Sequence, residues 1–406
     1  MSYTVAIVAG VAFFALSIVV LGVWPGRALD RQMRDMAPTA PLLLTASEQR
    51  GRLVYGREGC AYCHTQQVRF LHADMQRFGA PTLAWETQVD YPHLWGTRRI
   101  GPDLARETAV HTEDWHYAHL FDPRALAPRS VMPAYRLLFD GSPLRPRQEA
   151  RDLVAYLETL GRPRELAAPE GEARARDRCN CPGDAMAQMA FEAASINAHP
   201  ARPRPAADGP ALPPASDTRR GSNLYADRCA GCHGAGGLGD GPAAPWLSPR
   251  PADLTAHRYT RARLSDALWH GVAGTAMQAW RDHTVEDLAA LATAVDRLAS
   301  TDVDAADELG DQLARGAQVY LTHCAQCHGT DGDGRGSAAA QLRVAPTNFR
   351  RQRATASLTL AAIRDGVEGT QMAAWSGRLT ADEQRAVAQY VRRFFVPDPS
   401  GPGAAE

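Results

Sequence analysis

The chain has 406 residues, too many for one small core and suited to two to four domains. With 44 basic and 45 acidic residues the formal net charge is −1, so no basic surface points to nucleic acid as a partner. The 28 prolines and 34 glycines fit small helical domains joined by loops and linkers.

The first element is apolar from Val5 to Trp24, a run of 20 residues without a charge and long enough to cross a bilayer core. No Lys or Arg precedes the run, and Trp24-Pro25-Gly26-Arg27 follows it. It therefore reads as an uncleaved anchor over residues 1–26 rather than a signal peptide. Residues 27–44 follow as a juxtamembrane linker. Arg27, Arg31 and Arg34 would place this linker in the cytoplasm by the positive-inside rule. Asp30 and Asp35 dilute that bias, and the motifs that come next argue for the opposite side.

Cys60-Ala61-Tyr62-Cys63-His64 is the attachment pattern for c-type haem. The two thiols add across the haem vinyl groups, and His64 is then placed to ligate the iron. The pattern returns at Cys229-Ala230-Gly231-Cys232-His233 and at Cys324-Ala325-Gln326-Cys327-His328. A lone copy could be half a zinc site or a redox dithiol, but three copies with shared flanks argue against both. The expectation is three covalently bound haem c groups. Covalent attachment takes place outside the bacterial inner membrane, so the haem domains are expected in the periplasm.

The fold class expected is mainly α: an N-terminal transmembrane helix and three small all-α cytochrome c domains. The first domain, residues 45–162, opens on a helix with Ser47 as N-cap and closes on Gln148–Leu160. There Leu153, Tyr156, Leu157 and Leu160 share one face, and Gly161 and Pro163 stop the helix. Residues 163–216 read as a Pro/Ala-rich linker, with a short helix at 183–197 and an extended or disordered tract at 199–216. Cys179 and Cys181, within it, read as a local disulfide or a pair of exposed thiols, with a soft Cu(I) site that Met186 or Met189 would complete as the sharper alternative.

The second and third domains, residues 217–300 and 308–396, are internal repeats. Gly221-x3-Tyr225-x3-Cys229 matches Gly316-x3-Tyr320-x3-Cys324, and the first domain has Gly51-x3-Tyr55 with one more residue before Cys60. Pro251 and Pro346 each lie 18 residues after their His, and Met277 and Met372 each lie 44 after it. The closing helices start on capping-box patterns, Thr284…Asp287 and Thr380…Glu383. Residues 397–406 read as a disordered tail.

His and Met on one iron leave no open site, which suits electron transfer and disfavours oxygen or peroxide chemistry. The candidate pairs are His64 with Met132, His233 with Met277, and His328 with Met372. The spacing from His64 to Met132 is 68 residues, longer by 24 than in the repeats. An insertion near Gln66–Trp95 is therefore expected to form a loop over one haem edge. Pro102, Pro251 and Pro346 are expected to accept a hydrogen bond from the three imidazoles through their carbonyls.

The first domain also carries Arg57–Arg69, Leu94-Trp95-Gly96-Thr97-Arg98-Arg99-Ile100-Gly101-Pro102-Asp103-Leu104-Ala105-Arg106, Asp114-Trp115-His116, His119-Leu120 and Ser130-Val131-Met132-Pro133-Ala134-Tyr135. In these motifs, over residues 1–160, the chain resembles the mono-haem subunit of cbb3-type cytochrome c oxidases, whose axial Met matches Met132. It departs from that family at Glu107–Thr112, where a Gly-rich segment is expected, and at Arg136-Leu137, where Pro-Trp is expected. The two later domains resemble class I cytochromes c and, in arrangement, the di-haem subunit of the same oxidases. The resemblance implies an anchored tri-haem relay that is not itself the catalytic subunit. It would pass electrons from a periplasmic donor, such as a soluble cytochrome c or a quinol–cytochrome c reductase, to a haem–copper catalytic subunit in the inner membrane. The alternative is a tri-haem subunit of a membrane-bound periplasmic dehydrogenase that donates to quinone.

Overall fold

The computed structural model describes residues 3–36, 43–91, 93–108, 110–164, 209–214, 217–303 and 312–398. The expectations for Cys179, Cys181, the helix at 183–197 and residues 399–406 of the tail fall outside the described residues. The fold is mainly helical, and one short two-stranded sheet is its only regular β-structure among the described residues.

The apolar run is one continuous helical rod. Tyr3–Ile18 passes through a π-turn at Val19–Val23 into Trp24–Met36, so the helix extends beyond the expected end of the anchor. Its stretch Tyr3–Arg31 is long and apolar enough to cross a membrane, and none of it is buried in the protein. Without a bilayer its exposed Val, Ile, Leu and Phe side chains would have no apolar environment.

The chain divides into two compact units. The first joins Met1–Thr108 to Ala155–His199, and the second joins Ala109–Val154 to Pro200–Glu406. In the first unit the leading helix is Ala46–Arg57. Its N-cap is Thr45 and not Ser47: the Thr45 hydroxyl accepts from the Glu48 N–H at 3.3 Å, and Glu48 accepts back from the Thr45 N–H at 2.7 Å. The reciprocal pair needs Glu at the third helical position, which only a start at Thr45 provides.

The insertion is more than a loop. It forms a helix at His72–Phe78 and a 3₁₀ turn at Ala84–Asp90. Three of its carboxylates, Asp74, Glu86 and Asp90, are buried. Asp90 pairs with Arg52 at 2.7 Å and accepts from the Tyr156 hydroxyl at 2.7 Å. Burial still pushes its carboxyl above the usual range, against the pull of both partners. Asp74 pairs with Arg69 and Arg99, and these bonds hold it far below the usual carboxylate range. Arg99 also pairs with Asp103 at 3.0 Å. The inserted segment is thus fastened through charges that the Thr97–Arg106 motif supplies.

In the second unit the two repeats are alike, related by a shift of 95 residues through the methionine turns and of 96 in the closing helices. Each leading helix, Thr218–Arg228 or Gln312–His323, crosses a closing helix, Val285–Asp296 or Ala381–Arg392. At the crossings Gly221 and Gly316 lie against the carbonyls of Ala290 and Ala386, where a Cβ would overlap backbone. The cores of the repeats form around these crossings: Tyr225, Leu264, Leu288 and Leu291 in one, Tyr320, Ile363, Val387 and Val391 in the other.

The repeats pair about a local pseudo-dyad. Strand β1 (His257–Tyr259) runs antiparallel to β2 (Gln352–Ala354), with Arg258 opposite Arg353, its own equivalent. The flanking bonds obey the same symmetry: Thr260 N–H donates to Arg351 O and Thr355 N–H to Ala256 O, both at 2.9 Å. Such an isologous arrangement is how two copies of one surface close on themselves.

Asp296 sits at the C-terminal end of its helix, where the helix dipole also disfavours a negative charge. Burial pushes it up to about 6, although Arg261 lies 3.9 Å away. A carboxyl raised above its unfolded value stabilises the fold fully below about pH 4 and loses that contribution as pH rises through about 6. Asp296→Asn is therefore expected to add about 1–3 kcal/mol at pH 7 and little at pH 4. Thermal unfolding at the two pH values checks this, and equal effects at both would contradict it.

Candidate cofactor sites

The three Cys-x-x-Cys-His motifs occupy tight turns directly after the leading helices. All six cysteines are free. Burial pushes Cys60 and Cys229 up to about 12, and Cys232 and Cys324 up to about 11. A redox dithiol needs a thiol shifted toward thiolate, and none of these four is shifted that way.

Each motif histidine is held through Nδ1 by a backbone carbonyl. His64 donates to Pro102 O at 2.8 Å, as the sequence suggested. The other two correct the expectation by one residue: His233 donates to Ala252 O at 3.0 Å and His328 to Thr347 O at 3.2 Å. The Pro251 and Pro346 carbonyls instead face the backbones of Gly239 and Gly334, which come close because they lack side chains. In all three cases the proton sits on Nδ1 and leaves the Nε2 lone pair available to a metal. Burial also lowers His233 and His328, against the raising effect of these hydrogen bonds, and so favours the neutral ring. Gly101 lies flat against the His64 ring, where a Cβ would come 2.7 Å from Nε2. Two half-buried thiols beside an oriented imidazole, three times over, fit haem c as a donor set.

The methionines share a feature that sequence spacing did not expose. The N–H of Met277 donates to the Thr275 hydroxyl at 3.1 Å, and that of Met372 to the Thr370 hydroxyl at 3.1 Å. The N–H of Met132 donates to the Ser130 hydroxyl at 3.2 Å. Three Ser/Thr-x-Met turns therefore fix the backbone of all three candidate ligands in one way. The signal was present in the sequence as Ser130-Val131-Met132, Thr275-Ala276-Met277 and Thr370-Gln371-Met372. Met277 packs against the core of its repeat. His64 belongs to the first unit and Met132 to the second.

The second unit also shows what several motif residues of the first domain touch. The segment Glu113–Leu126 lies along the second Cys-x-x-Cys-His turn, with the Ala125 carbonyl 2.7 Å from where a Cβ of Gly231 would be. Asp114 accepts from the Ser248 N–H at 2.6 Å. Trp115 stacks with His111 at 3.5 Å and His119 at 4.6 Å, and like Cys232 and Ala276 it packs against the buried cluster of Ala118, Ala125, Leu126, Ala243 and Leu247. His111 Nε2 lies 2.7 Å from Gln278 Oε1, one residue after Met277. Nothing in the motif spacing had pointed to these contacts.

Residues 2–164 match the family described as cytochrome c oxidase, mono-heme subunit/FixO. Residues 216–293 and 311–391 match the family described as cytochrome c oxidase, cbb3-type, subunit III. A cbb3-type cytochrome c oxidase subunit CcoP from Azospirillum sp. (strain B510) is 30% identical over 187 residues, 43% of this chain and 61% of that protein. The CcoP subunit from Cereibacter sphaeroides is 40% identical over 79 residues, 19% of this chain and 26% of that protein. The chain thus spans less than two thirds of either relative. A solved Kuenenia stuttgartiensis reducing HAO-like protein complex, Kustc0457/Kustc0458, is 22% identical and is matched over 46% of this chain and 100% of its own. Its TM-score of 0.23 is too low to bear on the fold. Both matched families imply haem c, in agreement with the donor sets. The chain thus joins in one polypeptide a segment that matches the mono-heme subunit family and a segment that matches the cbb3-type subunit III family of cytochrome c oxidase.

Proposed function

We propose that the chain is a membrane-anchored tri-haem electron relay. It would take electrons from a periplasmic donor and deliver them to the haem–copper subunit of a cbb3-type oxidase. The observation that carries this is the threefold recurrence of the same parts: paired half-buried cysteines, a histidine locked through Nδ1, and a methionine in a hydroxyl-bonded turn.

In this reading Cys60 and Cys63, Cys229 and Cys232, and Cys324 and Cys327 hold the three groups as thioethers. His64, His233 and His328 would ligate the iron through Nε2, and Met132, Met277 and Met372 would each supply a further ligand through sulfur. Haem c would supply a one-electron redox centre when bound, and ligation by a neutral thioether and an imidazole would raise its potential relative to two imidazoles. The chain's own part is orientation. Carbonyls at Pro102, Ala252 and Thr347 fix the imidazoles, and the Ser/Thr-x-Met turns fix the thioethers. The first domain follows the anchor most closely in sequence, so it is the exit toward the membrane-embedded partner. The two repeats receive electrons, and all three domains face the periplasm.

Removing residues 217–406 is expected to slow oxidation of the donor cytochrome while the first domain still carries its haem. Spectra of the purified truncated chain and turnover of the oxidase containing it test the route. Unchanged turnover would exclude electron entry through the repeats.

A further inference from the structure

The two methionine turns of the repeats lie at the pseudo-dyad. Gly274, three residues before Met277, lies against the backbone of Arg343 in the third domain, with Val344 Cγ2 3.2 Å from the position of a Cβ. Its equivalent Gly369, three residues before Met372, lies against Ser248 and Pro249 in the second domain, where a Cβ would come 2.5 Å from Ser248 Oγ and 2.8 Å from Pro249 Cα. Ser248 and Pro249 are the repeat equivalents of Arg343 and Val344. Each methionine turn is thus seated on the same segment of the other repeat.

The symmetry breaks at one side chain. Arg343 Nη1 donates to the carbonyl of Gly274 at 3.1 Å, and Arg343 Nη2 donates to the carbonyl of Gly369. One guanidinium therefore holds both methionine turns. Ser248, at the equivalent place, has a single hydroxyl and no fork. Within each turn the constraint passes on locally. The Thr275 hydroxyl donates to Val272 O at 2.7 Å and accepts from the Met277 N–H, and Thr370 does the same with Val367 O and Met372.

We propose that Arg343 is a positioning residue shared by two cofactor sites, clamping the Met277 and Met372 turns together. Charge-assisted bonds from a planar fork suit this task, because the two donors leave in fixed directions. Lysine would keep the charge but offer no rigid fork to span two carbonyls. The proposal rests on Met277 and Met372 being iron ligands, so the experiment reads that ligation directly.

The full anchored chain would be purified with Arg343→Gln and with Arg343→Lys. The near-infrared band of methionine ligation would be followed during heating, beside helix content by circular dichroism. Each repeat is read alone in chains that carry Met132→His together with Met277→His or Met372→His, so that one methionine-ligated site remains. Arg343→Gln is expected to lower the temperature at which the band is lost in both repeats, with the helical unfolding temperature unchanged. Arg343→Lys should recover only part of the difference. Loss confined to the third domain, full recovery by Lys, an unchanged band, or a parallel fall in helical stability would each overturn the shared clamp. Absence of the band from both repeats of the unsubstituted chain would instead overturn the ligand assignment, and the clamp with it.

Discussion

Gly316→Ala is expected to destabilise the third domain by about 2–4 kcal/mol, against the direction of helix propensity. In an exposed helix interior the same change adds about 1 kcal/mol, because Gly gives up more backbone freedom on folding. At Gly316 the new Cβ would overlap the Ala386 carbonyl and lie 2.9 Å from Tyr390 Cβ. Backbone cannot move aside as a side-chain tip can, so the leading helix must lift from the closing helix. That opens the core around Val319, Tyr320, Val387 and Val391. Gly221→Ala should behave alike in the second domain, where the Cβ would meet the Ala290 carbonyl. Gly56→Ala is the control: its Cβ would lie 3.6 Å from Leu94 Cδ2, an ordinary contact, so propensity should prevail. Thermal unfolding of the three variants checks the contrast, and a gain at Gly316 would show that the crossing is looser than described.

The spacing of the repeats made the crossing glycines legible as a pattern but not as a cause. Gly-x3-Tyr recurs because the glycine admits the closing helix, and the tyrosine reaches past it to the haem turn. Tyr225 donates to Gly234 O at 2.8 Å and Tyr320 to Gly329 O at 2.7 Å, one residue after each motif histidine. The sequence likewise located Met277 and Met372 by repetition alone, and the hydroxyl-bonded turns supply the reason for it.

What the sequence hid was long-range pairing. The partners of Arg343 are carbonyls 69 and 26 residues away. The contacts of Asp114 and His111 lie 134 and 167 residues away. Carbonyls carry no side-chain signature, and a bond between distant segments leaves no period to read. The one-residue shift from Pro251 to Ala252 has the same origin. Spacing brings a segment to the imidazole, but the peptide plane decides which oxygen faces it. The insertion was legible by its length of 24 extra residues, whereas its helical content depends on buried ion pairs that no local pattern encodes.

Those ion pairs carry the other large effect. Glu86→Gln is expected to destabilise the first unit by about 3–5 kcal/mol, the cost of breaking a buried pair from one side. The Glu86 side chain is 1% exposed and lies 2.8 Å from both Arg106 and Arg164. It also accepts from the Leu83 N–H at 2.9 Å, which starts the 3₁₀ turn. The amide keeps the size of the carboxylate and can still accept that bond, but it removes a charge that these two guanidiniums share. Burial already pulls Arg106 below the usual arginine range, and the Arg164 charge adds to that pull while Glu86 opposes it. Without Glu86 the two cations would repel each other in a setting that water reaches poorly. Added salt should recover little of the loss, since buried charges are weakly screened. Replacing Arg164 as well, as Glu86→Gln with Arg164→Gln, removes one of the stranded cations and should restore part of the stability. Denaturant unfolding of the single and double variants measures this coupling directly. Strictly additive losses would mean that the insertion is held by packing, and not by its buried charges.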